Sequence, residues 1–474
     1  MTRSKPKHFA LLLALSLLMP AMTAFAAPTN NALALAAAPT VSKPTLIAGG
    51  VGNQMNPSLV GDTLVYDDCP LPYLPCTLSA YDFKTQSSHQ IANNVDYLDF
   101  QGVVQRTDGA SVVWTDAEAQ QGLHVASLPD NGVSDLAATP ATRREVAIWV
   151  NIVVWTDGRN SPPDQPLNND IYMFDTTSGK ETAVSKHDAD TSSPATNGKV
   201  IVWQDGRNAG ANSFNTDIYG YDIATGKEFV VAGTANSELT PSISGNTVVW
   251  ASRDMRNNSS IVTYDLQTKR STTIARSTPP ARQGGFVILS DPAIWGNVVL
   301  WVSEEYPQGP GYPVRSGIFG YDIASGQAFT VVDDDKAIRL SPTVSGNRVV
   351  WVEFAKSSFS DGRRDIMGVT LSGVTVAQVS TPTPKTAATS RTFPETGKTV
   401  EGRFLDYWRE HGGLAQQGYP ISDLMSEVSD LDGKEYAVQY FERAVFEMHP
   451  ENKPPYDVLL SQLGTFRYKV KYQP

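Results

Sequence analysis

The 474-residue sequence predicts an all-β protein, a seven-bladed β-propeller of four-stranded blades with a small α+β domain at its C-terminal end. Three observations carry this reading. A unit ending its Val-rich run on an aromatic residue recurs seven times, at Tyr66, Trp114, Trp155, Trp203, Trp250, Trp301 and Trp351. The intervals are 48, 41, 48, 47, 51 and 50 residues. Within a unit, four runs of four to six β-branched or alternating residues are separated by Gly, Asn and Asp, which is strand and turn chemistry. A four-stranded unit of that length cannot bury both faces alone, so copies must stack radially.

Each element follows from local residue chemistry. In the fourth copy the strands read SPAT, VIVWQD, DIYGYD and EFVVAG. Ser-Gly-Asn (244–246 and 345–347) and Trp-Gly-Asn (295–297) make tight turns between first and second strands. Tyr-Asp-x-x-Ser/Thr-Gly (221–226 and 321–326) turns the third strand into the fourth: Gly226 or Gly326 supplies positive φ and Asp222 or Asp322 bonds the turn backbone. The aromatic at the end of each second strand is expected to pack between neighbouring blades. Residues 45–49 (TLIAG) read as a fourth strand placed ahead of the first copy, suited to closing the ring, although the last copy carries a fourth-strand pattern of its own.

The segments VVWxDGRN and DIYxYDxxTGK, with a Pro ahead of each first turn (Pro57, Pro194, Pro241, Pro292, Pro342), resemble the TolB-like family of bacterial propeller repeats over about 45–380. The resemblance implies the fold. That family spans binding subunits, domains attached to peptidases and some polysaccharide lyases, so it transfers no functional residue to this chain.

Residues 1–26 read as a secretory signal: Arg3, Lys5 and Lys7 precede an apolar run at 9–21, and Ala24-Phe25-Ala26 suits cleavage before Ala27. Residues 27–44 read as a flexible lead-in. No other stretch reaches the ~18 apolar residues of a spanning helix. The chain is expected to be bacterial and either secreted or envelope-associated. In an oxidising compartment Cys69 and Cys76 read as a disulfide, with about 2–3 kcal/mol of expected stabilisation for so small a loop. A net charge of −11 argues against nucleic acid or an anionic membrane surface as partner, and 9 Trp, 18 Tyr and 17 Phe argue against disorder.

Topology puts the long, irregular segments (157–169, 205–216, 303–316 and the link 275–291) on one face, where binding loops normally sit. Two of them start with Asp-Gly-Arg-Asn, at 157–160 and 205–208. Asp157, Arg159, Asp205 and Arg207 are therefore the candidate binding residues, the arginines suited to an anionic sugar or carboxylate. The structural alternative has Asp and Asn capping the turn while Arg pairs with Asp170 or Asp217. No catalytic or metal-ligating set emerges. There is no Gly-x-Ser-x-Gly, His-Glu-x-x-His or P-loop, and His89, His124 and His187 fall in different copies. Asp333, Asp334 and Asp335 read as a solvated link. No cofactor is expected.

A Thr/Pro linker at 381–390 separates a C-terminal α+β domain, 391–474. RFLDYWREHGG (403–413) has helical spacing ended by Gly412-Gly413, and 432–450 alternates like strands. FPETGKTVEGRFLDYWREHGGLAQQGYPIS and VQYFERAVFEMHPE are similar to an accessory domain of secreted bacterial proteins, including wall hydrolases. Gly418-Tyr-Pro-Ile-Ser and Asp432-Gly with Tyr440-Phe441 resemble the LGFP repeat, which implies envelope or glycan association. Glu442, Arg443, Glu447 and His449 read as the polar face of a strand pair. The function expected is that of a non-enzymatic binding protein of the cell envelope, recognising a protein or glycan ligand on its long-loop face and cell-wall material through its C-terminal domain. The alternative is a propeller enzyme acting on extracellular polymer.

Overall fold

The computed structural model describes residues 38–474 except 51, 71–74, 96–104, 117–121, 129–132, 137–140, 162–167, 188, 210–214, 279–284, 308–310, 357–362, 375–378, 380–389, 394, 412, 430–431, 454–455, 462 and 473–474. The expected leader, most of the lead-in and nearly all of the linker lie outside the described residues.

Antiparallel sheets follow one another in chain order, each built strand next to sequential strand. The first is Asn53–Val60, Thr63–Cys69, Cys76–Asp82 and Ser87–Val95. The second has three strands, Ser111–Thr115, Leu123–Ser127 and Val133–Asp135, and a single bridge from Thr107 to Val112 marks its inner edge. The third is Arg143–Trp149, Ile152–Asp157, Asp170–Asp175 and Lys180–Ala183, and the fourth is Thr191–Thr196, Val200–Asp205, Asp217–Asp222 and Lys227–Ala232. The fifth is Ser237–Ser244, Thr247–Arg253, Ser259–Asp265 and Arg270–Arg276. The sixth is Phe286–Trp295, Val298–Tyr306, Arg315–Asp322 and Gln327–Asp334. The seventh joins Ala337–Ser345, Arg348–Ala355 and Asp365–Ser372.

The outer edge of Asp365–Ser372 is taken by the N-terminal strands Thr40–Val41 and Thr45–Ala48. The strand foreseen at 45–49 thus completes the last sheet; most of the last copy's own fourth-strand pattern, 375–378, lies outside the described residues. Closing a sheet with a segment far away in sequence fastens the two ends of the array together. The seventh sheet also packs on the first through Ala337–Ser345 and Asn53–Val60. There Gly61 N–H donates to Ser345 Oγ at 2.8 Å and Arg348 pairs with Asp62 at 2.6 Å. This is β-propeller architecture.

The aromatics behave as expected: each packs against the sheet before its own. Trp155 lies with Val113 and Leu123 of the second sheet, and Trp203 with Val154 and Ile171 of the third. Trp351 lies with Val298 and Leu300 of the sixth, and Tyr66 with Val350 and Ile366 of the seventh. Trp155, Trp203 and Trp351 are fully buried. Their indole N–H groups still find partners: Asp157 and Asp205 at 2.8 Å, and Glu353 at 3.1 Å. Trp250 uses Glu238, reached from the neighbouring first strand of its own sheet.

First strands share a bulge. The register slips between Met55 and Ser58, Arg144 and Ala147, Ser192 and Ala195, Leu239 and Ser242, Ser290 and Ala293, and Leu340 and Thr343. Asn56, Glu145, Ser193, Thr240, Asp291 and Ser341 there take φ of 48–53°. In five of the six a proline follows, which suits a point where the ladder is interrupted and no N–H is needed. The third-to-fourth turns also match expectation: Gly226 and Gly326 have φ near 70°, and Asp222 and Asp322 accept turn N–H groups from Thr225 and Ala324.

After the seventh sheet come a hairpin (Ser390–Phe393 with Lys398–Glu401), the helix Gly402–Glu410, a short helix Gly413–Gln417, and a four-stranded sheet of Met425–Val428, Glu435–Tyr440, Val445–Met448 and Val458–Leu460. A further helix, Leu463–Tyr472, was not legible in the sequence. Phe393, Phe404, Leu405, Trp408, Phe441 and Phe446 form a hydrophobic cluster of their own, and Trp408 Nε1 donates to the Gly418 carbonyl at 3.1 Å.

Candidate functional site

The two Asp-Gly-Arg-Asn segments adopt one geometry twice. Asp157 is completely buried and accepts from the Arg159 backbone N–H at 2.9 Å, from its Nε at 2.8 Å and from its Nη2 at 2.6 Å, besides Trp155 Nε1. Burial works against the charge of Asp157, but the bonds from Arg159 and Trp155 outweigh it and hold the carboxyl below its ordinary range. Arg159 also donates to Glu181 at 2.6 Å, and its guanidinium lies 4.0 Å over Tyr172. Asp205 and Arg207 repeat the fork at 2.9 and 2.6 Å, with Glu228 and Tyr219 in the same roles.

One detail of the structural alternative differs. Arg159 and Arg207 pair with the aspartate two residues back, while Asp170 and Asp217 are held by Asn160 and Asn208, each at 2.6 Å. A planar guanidinium meets a carboxylate two residues away edge-on, which leaves the more distant aspartate to the asparagine. The loop tips at 162–167 and 210–214 lie outside the described residues. Cys69 and Cys76 form a disulfide at the same end of the first sheet, as expected. His89 is exposed, His187 faces Glu228 at 3.3 Å, and His124 lies between Asp116 at 3.0 Å and Asp135 at 2.7 Å, so the three stay apart as read. Glu447 and His449 sit 3.5 Å apart on one strand and its exit, while Glu442 and Arg443 occupy a turn.

The cavity lies at the opposite end of the strands. It measures about 670 Å³ and is lined by the first-to-second strand turns of several sheets. Trp149 and Trp295 form its wall, edge to face at 5.8 Å, although they come from the third and sixth sheets. Asn197, Lys199, Asn246 and Asn297 stand around it, and Val379 reaches it from beyond the seventh sheet. Among the described lining residues Lys199 is the only ionisable group. The turns are stapled to one another: Ser244 Oγ accepts Gly296 N–H at 2.9 Å, and Asn197 Nδ2 donates to the Gly245 carbonyl at 2.7 Å.

A second group of interest lies deeper in the sixth sheet. Glu304 is 8% exposed, and burial pushes its carboxyl up to about 7 despite a 2.8 Å hydrogen bond from Tyr306. Asp291, also raised by burial, adds to that shift and accepts Ser341 N–H at 3.2 Å. Tyr306 stacks on Phe286 at 5.1 Å. No sequence motif marks these residues. The extended first and second strands of this sheet bring them together.

No family model matches the chain, and no curated protein matches it. Among solved structures it is similar to an oligogalacturonate lyase from Vibrio parahaemolyticus, at 10% identity and a TM-score of 0.49, over 70% of this chain and 96% of that one. The β-propeller domain of the Trilobed protease from Pyrococcus furiosus matches at 13% identity and 0.48, over 70% and 98% of the two chains. A putative TolB from Agrobacterium tumefaciens matches at 16% and 0.39, over 62% and 98%. Among the described residues no helix is long and apolar enough to cross a membrane.

Proposed function

We propose that the chain is a secreted, non-enzymatic binding protein of the cell envelope. In this reading residues 1–26 are a leader, 45–380 are a single closed ring of seven blades, 381–390 are a linker, and 391–474 are an α+β domain that associates with wall material. The observation that carries the binding role is the lining of the 670 Å³ cavity: among the described residues, tryptophan, amide and hydroxyl groups with one lysine and no carboxylate. Such a cup, apolar with a few polar groups around it, suits holding a ligand. Recognition is therefore placed at the turn end of the strands. Asp157, Arg159, Asp205 and Arg207 then brace the long loops at the other end, where their mutual bonds occupy them.

The reading is tested with a glycan array and a pull-down on purified wall material, using the mature chain and a chain ended at 380. Retention of wall material by the full chain and its loss after truncation are expected. A truncated chain that binds wall as well as the full one overturns the role given to 391–474.

A specific observation favours a second reading. Glu304 changes protonation near pH 7 beside Tyr306 and Asp291, which is the equipment of a general acid or base. Depolymerisation of an extracellular polysaccharide that disappears in Glu304→Gln would establish an enzyme. Unchanged polymer after prolonged incubation supports the binding reading.

A further inference from the structure

Each turn from a first to a second strand needs one residue in the left-handed region. Gly61, Gly109, Gly198, Gly245, Gly296 and Gly346 supply it, with φ of 56–89°. The third sheet places Val150 there, at φ 59°. A β-branched side chain in that region is strained and persists only where its surroundings hold it. One feature of the surroundings accommodates it. Gly198 leaves room: a Cβ there would stand 3.1 Å from Trp149 Cδ1 and 3.8 Å from Val150 Cγ2. Burial does not explain the valine, because it is 49% exposed. It stands on the cavity beside Trp149.

We propose that Val150 is a ligand-contacting, specificity-determining residue of this cup, and that the cup takes a neutral sugar. The inference rests on the binding reading above and deepens it. A pyranose offers C–H faces and hydroxyl edges. The isopropyl group of Val150 and the indoles of Trp149 and Trp295 suit the faces, and the amides of Asn246 and Asn297 suit the edges. Among the described lining residues there is no carboxylate and Lys199 alone is ionisable, which gives no reason for strong charge on the ligand. Substituting glycine at 150 would relax the backbone, so the strained valine is retained at the surface for what its side chain touches.

The test is titration calorimetry of the mature protein with the neutral trisaccharide triacetylchitotriose, with anionic trigalacturonate, and with the peptide VSTPTP, alongside thermal melts. Wild type is expected to bind triacetylchitotriose. Val150→Gly is expected to weaken that binding roughly tenfold, the scale for losing an aliphatic contact in a pocket, without lowering the melting temperature. Asn246→Trp, which obstructs the cup from an exposed turn, is expected to abolish it. Binding that survives Val150→Gly within about twofold but fails in Asn246→Trp overturns the role of Val150 and leaves the cup standing. Binding indifferent to Asn246→Trp removes the cup itself, and with it the site given to the binding reading. Binding of trigalacturonate or the peptide in place of triacetylchitotriose, or of none of the three, overturns the sugar class.

Discussion

The two ends of the same strands have opposite character. At the long-loop end of the third and fourth sheets, charged residues face one another: Asp157 with Arg159 and Glu181, and Asp205 with Arg207 and Glu228. Around the cup at the turn end the described lining carries Lys199 as its one ionisable group, and neighbouring turns are joined by single hydrogen bonds; the Arg348–Asp62 pair lies at the seam of the seventh and first sheets. A saturated ion pair has little left to offer a ligand, because exchanging partners costs the desolvation already spent on the first one. A rim of amides with tryptophan behind it keeps that capacity. The sequence draws the eye to the charged end because charge and repetition are visible in one dimension, whereas a cup assembled from four turns and the neighbouring strand ends is not.

The sharpest way to break the contrast is to remove one carboxylate. Asp157→Ala leaves the Trp155 N–H and the Arg159 fork facing a vacated position beside Arg143, which is itself completely buried. Breaking a buried pair from one side costs about 3–5 kcal/mol. Asn246→Ala, in an exposed turn at the other end, is expected to stay within about 0.5 kcal/mol. Urea unfolding of the two variants measures both. Similar values would mean that the two ends carry equal structural weight.

Next in size is the protonation of Glu304. Its carboxyl is raised in the folded state, so the native protein holds a proton that the unfolded chain gives up at its ordinary, lower value. Stability must therefore fall as pH rises from about 4.5 to about 7, and the loss is complete above that. A shift of this size corresponds to at most about 3 kcal/mol. Glu304→Gln is expected to flatten the profile over that window and to melt higher than wild type at pH 8. A wild-type profile already flat from pH 5 to 7 would show that Glu304 titrates normally.

How much of this was legible in one dimension varies with range. The aromatic period revealed the repeat because one Trp per unit serves one interface per unit. The acid two residues after Trp155, Trp203 and Trp351 is equally visible in the sequence, but its service to the indole N–H appears only once the strand is folded. Trp250 breaks that rule by taking Glu238 from twelve residues upstream, a pairing that only strand register creates. Thr45–Ala48 reads as a strand suited to closing the ring, but the last copy's own fourth-strand pattern competes for that place, and the register against Gly368, more than three hundred residues away, is not local information. Trp149 meeting Trp295 depends on the diameter of the ring, which no local pattern encodes. Val150 was readable as the turn that lacks glycine, once all the turns are aligned.

The smallest effects sharpen the picture of the turn end, because two glycines with the same role differ in their surroundings. Gly346, at φ 61°, has open space where a Cβ would go; Gly198, at φ 81°, would set its Cβ 3.1 Å from the Trp149 ring. Gly346→Ala therefore carries only the left-handed strain, about 1 kcal/mol. Gly198→Ala adds a contact that Trp149 can relieve only by moving within the cup wall, so about 2 kcal/mol is expected. The two melts differ only modestly, and tryptophan fluorescence separates them better. A spectral change in Gly198→Ala with none in Gly346→Ala would place Trp149 beside that turn. Identical spectra in the two variants would remove Trp149 from the third-to-fourth junction of the cup.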